Sequence, residues 1–120
     1  MATAPTLALI EGTTLAFSTE WATGDEARTP IDMTGCTARF VIVPEDSRRA
    51  LVECTTQNGG IEIDVATGTI SIRVAPEQTA EQLSDAWKNA RYELRITFPS
   101  GDVYSLLRGK ATLTPGVANE

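Results

Sequence analysis

Apolar and polar residues alternate along most of this chain, and a two-residue period marks half-buried strands. Leu15, Phe17, Thr19 and Trp21 point one way, with Thr14, Ser18 and Glu20 opposite, which predicts a strand over residues 13–21. Thr6 to Ile10 predicts an edge strand ended by Gly12. Residues 22–35 form a turn-rich loop, punctuated by Gly24, Asp25, Pro30, Asp32 and Gly35, with Ile31 and Met33 expected in the core. Cys36 to Pro44 is the next strand: Ala38, Phe40 and Ile42 make one face, while Val41 and Val43 share the other with Arg39. Such a strand is expected to be covered on both sides. The charged run Glu45-Asp46-Ser47-Arg48-Arg49 reads as a solvated connection, followed by a short strand from Leu51 to Thr56 and a turn at Gln57-Asn58-Gly59-Gly60.

Ile61, Ile63 and Val65, then Ile70, Ile72 and Val74, predict a hairpin over 60–66 and 69–75 with one apolar face. A slip of one residue would expose every isoleucine, so its register is well specified. Pro76 to Trp87 is the one helical stretch, expected as one or two turns across the end of a sheet. Pro76 suits a first helical position, and Thr79 with Gln82 is a capping-box spacing. Leu83 and Trp87, four apart, would share a face. Ala90, Tyr92, Leu94, Ile96 and Phe98 give the cleanest strand. The turn Pro99-Ser100-Gly101-Asp102 returns the chain through Val103–Leu107 and Lys110–Thr114, with Gly109 marking a bulge. Pro115 stops this strand, and residues 116–120 are expected to fray.

Seven or eight short strands with regular turns and one short helix predict an all-β protein, an antiparallel immunoglobulin-like β-sandwich. The 120 residues make a single domain, with its ordered core over about 6–115. Tyr92 opens the penultimate strand after a helical corner. It reads either as a tyrosine corner, its hydroxyl reaching back to the preceding loop, or as a plain core residue. Trp21 is either core or, if exposed, an interface anchor.

Composition narrows the function. Hydrophobic residues at 42% and charged residues at 22% are globular values and exclude a disordered chain. Ten basic against sixteen acidic residues give a net charge of -6, which argues against nucleic-acid and membrane-surface binding. No run reaches the ~20 apolar residues of a membrane span. The N-terminus has no positive charge ahead of a short apolar run, so the expectation is synthesis without a signal peptide, in the cytosol. Cys36 and Cys54 are expected as small buried thiols, with one cross-strand disulfide left open.

No constellation specifies an enzyme. There is no histidine, which removes imidazole bases and ligands. A serine nucleophile would need Lys88, Lys110 or a carboxylate as base, and no such pair stands at a recognised spacing. Glu62 and Asp64 are two apart, the one carboxylate pair suited to glycoside hydrolysis, but they read as the wet face of a hairpin. Asp25, Glu26 and Asp32 share a loop without calcium-loop spacing. Two cysteines without histidine leave a zinc site half built. Asn58-Gly59-Gly60 and Ser100-Gly101 read as turns, not phosphate cradles. Arg48-Arg49, flanked by Glu45 and Asp46, is a poor nucleic-acid patch. Catalytic, cofactor and metal residues are therefore expected to be none.

Three segments carry a resemblance. Pro30-Ile31-Asp32-Met33-Thr34-Gly35-Cys36-Thr37-Ala38-Arg39-Phe40 resembles the entry to the second strand of small tailed-bacteriophage and prophage proteins. Thr55 to Ile61 with Gly68-Thr69-Ile70 resembles their middle hairpin. Ala90-Arg91-Tyr92-Glu93-Leu94, Pro99 to Val103 and Leu107-Arg108-Gly109 resemble their closing hairpin. The match runs from about Phe17 to Pro115. It is similar to the immunoglobulin-like N-terminal domain of baseplate upper proteins. The resemblance implies a non-enzymatic virion structural protein: a tail, baseplate or fibre-attachment module docking other phage proteins, made in the bacterial host cytoplasm and assembled into the virion. Its implied partners are other phage structural proteins, with a homo-oligomer left open. The competing expectation is a head-decoration or carbohydrate-binding module, which would show clustered exposed aromatics. Baseplate upper proteins carry a long C-terminal extension that trimerises, and the chain ends at Glu120 without one, so receptor contact and trimerisation are not carried over.

Overall fold

The computed structural model describes residues 6–24, 26–27, 29–45 and 49–116. Asp25, the connection Asp46-Ser47-Arg48 and the end of the chain from residue 117, expected to fray, lie outside the described residues. Eight strands are described: β1 Leu7–Ile10, β2 Leu15–Glu20, β3 Thr37–Val43, β4 Val52–Thr55, β5 Ile61–Asp64, β6 Thr69–Val74, β7 Arg91–Thr97 and β8 Val103–Thr114. A single helical turn, α1 (Pro76–Thr79), and a 3₁₀ turn, Ser84–Trp87, fill the gap between β6 and β7.

The strands form a five-stranded sheet in the order β1-β8-β7-β3-β4 and a three-stranded sheet in the order β2-β6-β5. This is the immunoglobulin arrangement: second, fifth and sixth strands in one sheet, third and last two in the other, with an extra strand beside the third. One pairing departs from the antiparallel expectation. β1 runs parallel to β8, Leu7 to Ile10 beside Ala111 to Thr114. The chain reverses just after β1 and enters the other sheet as β2, so β1 is left on the free edge of β8 running in the same direction. Parallel ladders are only slightly weaker per residue than antiparallel ones, and an edge tolerates this.

Alternation places the core where the sequence predicts it. Phe40, Ile42, Leu94 and Ile96 of the large sheet face Ile70, Ile72 and Val74 of the small one, all fully buried. Each such side chain contributes about 1.5–3 kcal/mol on leaving water. Phe17 meets Phe40 edge-on at 5.6 Å, which joins the two layers. The hairpin register is Ile61 opposite Ile72 and Ile63 opposite Ile70. Met33 is buried and Ile31 half-buried, so the long loop is pinned from below. The turn at Gln57–Gly60 carries the chain from one sheet to the other. Asn58 closes it: its Oδ1 accepts from the Thr55 and Gly60 N–H groups at 2.9 and 2.8 Å.

Four local expectations are corrected. Leu83 and Trp87 do not share a face, because Leu83 is extended (φ -90°, ψ 138°) ahead of the 3₁₀ turn, which Glu81 (φ 66°), its N–H held by Glu11 Oε2 at 2.9 Å, separates from α1. Leu83 is exposed, whereas Trp87 is buried with its Nε1–H donating to Gln82 Oε1 at 2.6 Å. Thr79 is no N-cap: it ends α1, fully buried, and its hydroxyl accepts the Gly12 N–H at 2.9 Å. The bulge lies before Gly109. Arg95 pairs with Ser105 and Leu94 with Leu107, so Leu106 is the extra residue, while Gly109 keeps its place opposite Tyr92. Val65 has left the apolar face for the turn and is exposed.

The cysteines are free. Cys54 pairs with Phe40 across β3 and β4. Cys36 lies four residues before Phe40, about 13 Å along the strand direction. A disulfide needs Cα atoms closer than about 7 Å, so this fold cannot join them.

Candidate interaction surfaces

The carboxylates singled out from the sequence remain apart from any cleft. Glu62 and Asp64 point outward from β5, opposite Ser71 and Thr69, and Asp64 Oδ1 caps the following turn through the Ala66 N–H at 3.1 Å. Asp32 accepts from the Thr34 N–H at 3.0 Å and the Thr34 hydroxyl at 2.6 Å. Those two bonds, the side-chain one foremost, hold its carboxyl below the ordinary aspartate value. It shapes the loop before β3. Glu26 is exposed, and Asp25 lies outside the described residues. Among the described residues no three histidine, cysteine, aspartate or glutamate side chains converge as metal ligands. Lys88 and Lys110 stand on separate elements, the first just after the 3₁₀ turn and the second in β8. Of the arginine doublet, Arg49 is exposed and Arg48 lies outside the described residues.

Tyr92 is buried with its ring 5.8 Å from that of Phe40, and burial pushes its hydroxyl pKa up. Trp21 is half-buried and belongs to a cluster that its sequence position does not reveal. Trp21 directly follows β2, Phe98 directly follows β7, and Tyr104 is the second residue of β8. Their rings meet in a triangle: Trp21–Phe98 at 5.8 Å, Trp21–Tyr104 at 5.7 Å and Phe98–Tyr104 at 5.5 Å. Tyr104 is 47% exposed and its neighbour Val103 52%, so the triangle opens to solvent at one end of the sandwich. Gly68 holds Trp21 from behind. Its carbonyl accepts the Trp21 N–H at 2.8 Å; its φ is 68°, and an added Cβ would stand 2.8 Å from the Trp21 carbonyl oxygen. Only glycine satisfies both the left-handed backbone and that approach.

The second surface is the outer face of the five-stranded sheet. It is a shallow concavity of about 1070 Å³ with Val41 and Val43 half-buried in its floor. These valines are the reason β3 looked covered on both sides; among the described residues no further layer lies over them. Arg39, Arg91, Arg95, Arg108 and Lys110 surround them. Glu93 sits at the centre, 2.9 Å from Arg95 Nε, 3.7 Å from Arg108 Nε and accepting from the Ser105 hydroxyl at 2.7 Å. Arg39 pairs with Glu53 at 2.7 Å, and Glu45 at the rim accepts from Asn89 at 2.8 Å.

The face thus holds five of the chain's ten cations and three of its sixteen carboxylates, a surplus of two positive charges. The rest of the chain holds five cations and thirteen carboxylates, a deficit of eight. Two like-charge pairs stand directly across strands here: Arg39 opposite Arg95, and Arg91 opposite Lys110. Such juxtaposition weakens a sheet. Sequence reading missed this face because its cations arrive singly, at outward positions of three strands; the alternation Arg91-Tyr92-Glu93-Leu94-Arg95 was its one local sign.

A scan against protein-family models finds no match to the chain, and a search of curated proteins finds no matching relative.

Proposed function

We propose that this protein is a non-enzymatic structural module of a bacteriophage or prophage particle, of the tail, baseplate or fibre-attachment region, that docks other phage proteins. In this reading it is made in the bacterial cytoplasm and assembled into the virion. The observation that carries the proposal is the meeting of two of the resembling segments. Gly35, in the entry to β3, lies at φ 77° with its position for a Cβ 3.0 Å from Pro99 Cγ, in the closing turn. The third segment forms the Asn58 corner and the Gly68 turn that backs Trp21. The shared residues therefore occupy the positions that set the sandwich, which is what a family likeness of fold requires. The surfaces described are an open aromatic end and a shallow charged face, both suited to protein contact.

The test is mass spectrometry of purified particles induced from the source organism, with copy number relative to the major capsid protein. A low fixed ratio is expected. Absence from complete particles overturns the proposal, and a ratio near one moves it to head decoration.

The Trp21–Phe98–Tyr104 triangle favours a second reading, a carbohydrate-binding module, because its exposed member, Tyr104, offers a ring that can stack on an apolar sugar face. Binding on a glycan array that is lost in Tyr104→Ala supports it; no binding to any glycan removes it.

A further inference from the structure

We propose that the protein self-associates head to tail, the outer face of its five-stranded sheet docking on the outer face of the three-stranded sheet of a second copy. The observation is that the two outer faces carry opposite charge. The small sheet presents Glu20, Glu62 and Asp64 against one cation, Arg73. Glu20 and Asp64 flank Thr69 in one row across the sheet, and Glu62 follows in the next. The large sheet presents its surplus of cations, with Arg91 and Lys110 side by side and, among the described residues, unpaired with any carboxylate.

The geometry selects the kind of contact. Outer faces of a sandwich point in opposite directions, so a copy has one donor side and one acceptor side. A two-fold contact of either face with itself would set like charges together, which costs several kcal/mol in general. The complementary contact is heterologous, and heterologous contacts build rings or open stacks. The smaller face, three strands of four to six residues, covers on the order of 250 Å², about a third of the ~800 Å² per partner of a standard interface. A single contact is therefore weak, sensitive to salt, and strengthened by closure of a ring. Arg39 and Arg95 already have Glu53 and Glu93 beside them, whereas the Arg91–Lys110 pair is relieved by carboxylates from a neighbour, which gives a reason for its presence.

The experiment is sedimentation velocity of the purified chain from micromolar to millimolar concentration, at low (~50 mM) and high (~500 mM) salt. Wild type is expected to shift to larger species with concentration at low salt and to lose that shift at high salt. Arg91→Glu/Lys110→Glu and Glu20→Lys/Glu62→Lys are each expected to stay monomeric, because each makes both faces alike in sign. Their equimolar mixture is expected to associate again, since every face then meets its opposite. Near-ultraviolet circular dichroism confirms that both variants are folded. A wild type that is monomeric throughout, variants that still associate alone, or a mixture that stays monomeric would each overturn the proposal. Purified protein suffices for this test, so its outcome is separate from presence in particles.

Discussion

Arg91 and Lys110 stand directly opposite each other across β7 and β8, two cations on one exposed sheet face. Cross-strand like charges oppose pairing, and opposite charges support it, by roughly 0.2–1 kcal/mol. Lys110→Glu is therefore expected to stabilise the isolated chain by up to about 1 kcal/mol in urea denaturation. Added salt should raise wild-type stability more than that of the variant. No gain in the variant would mean that the two side chains splay apart.

Gly68 and Gly59 both adopt positive φ, 68° and 82°, but only Gly68 is crowded. Alanine at either costs about 1–2 kcal/mol for the left-handed backbone. At Gly68 the new methyl also meets the Trp21 carbonyl and Pro30 Cβ, 2.8 and 2.9 Å away. Gly68→Ala is expected to lose at least about 1 kcal/mol more than Gly59→Ala, and to alter tryptophan fluorescence. Equal losses would show that the aromatic end gives way freely.

Thr79 links α1 to the turn after β1 through a single hydroxyl, which accepts from Gly12 N–H and donates to the Pro76 carbonyl at 3.4 Å. Thr79→Val keeps the shape and removes the acceptor. Gly12 is exposed, so water replaces part of the lost bond, and a loss of about 1 kcal/mol is expected. Thr79→Ser should retain the bond. A silent Thr79→Val would place the anchoring of α1 in packing alone.

The pH profile has two predicted limits. Burial raises the Cys54 thiol above its ordinary 9.0, with the Gln78 amide partly opposing, and raises the Tyr92 hydroxyl above 10.0. Above those ordinary values the unfolded chain releases these protons first, so stability present below about pH 9 falls as pH rises. The lowered Asp32 carboxyl acts in the other direction: its contribution is present above 3.8 and is lost as pH falls below it. Thermal denaturation against pH checks both limits. Cys54→Ala should remove part of the alkaline fall, and Asp32→Asn part of the acid one. In the native state a thiol reagent should modify half-buried Cys36 first, reaching Cys54 on unfolding.

The sandwich was legible because its inner positions keep strict alternation: Ala38, Phe40 and Ile42, or Tyr92, Leu94 and Ile96, are buried in turn. Helical period misled where a long-range contact intervened. Leu83 and Trp87 have the right spacing, but Glu11, seventy positions from Glu81, holds that residue in a left-handed turn that ends α1, and Leu83 is extended before the 3₁₀ turn begins. The bulge at Leu106 was hidden because Gly109, the more suggestive residue, tolerates a regular strand. Neither surface was legible, for a common reason. Trp21, Phe98 and Tyr104 meet only because three strand ends do, and the cations at 39, 91, 95, 108 and 110 share a face only once β3, β7 and β8 are neighbours. Linear sequence displays clusters within a strand, not across them.

The parallel partnership of β1 and β8 governs how the molecule bears tension. Traction on the two flanks of the domain draws Leu7 backward and Thr114 forward along the same ladder. The load then falls lengthwise on all of its hydrogen bonds together, instead of peeling them singly. Four residue pairs and the adjoining bond from the Glu11 N–H to the Thr114 carbonyl must yield at once before the core is strained. A domain tethered at both flanks is thereby latched by an edge strand of four residues.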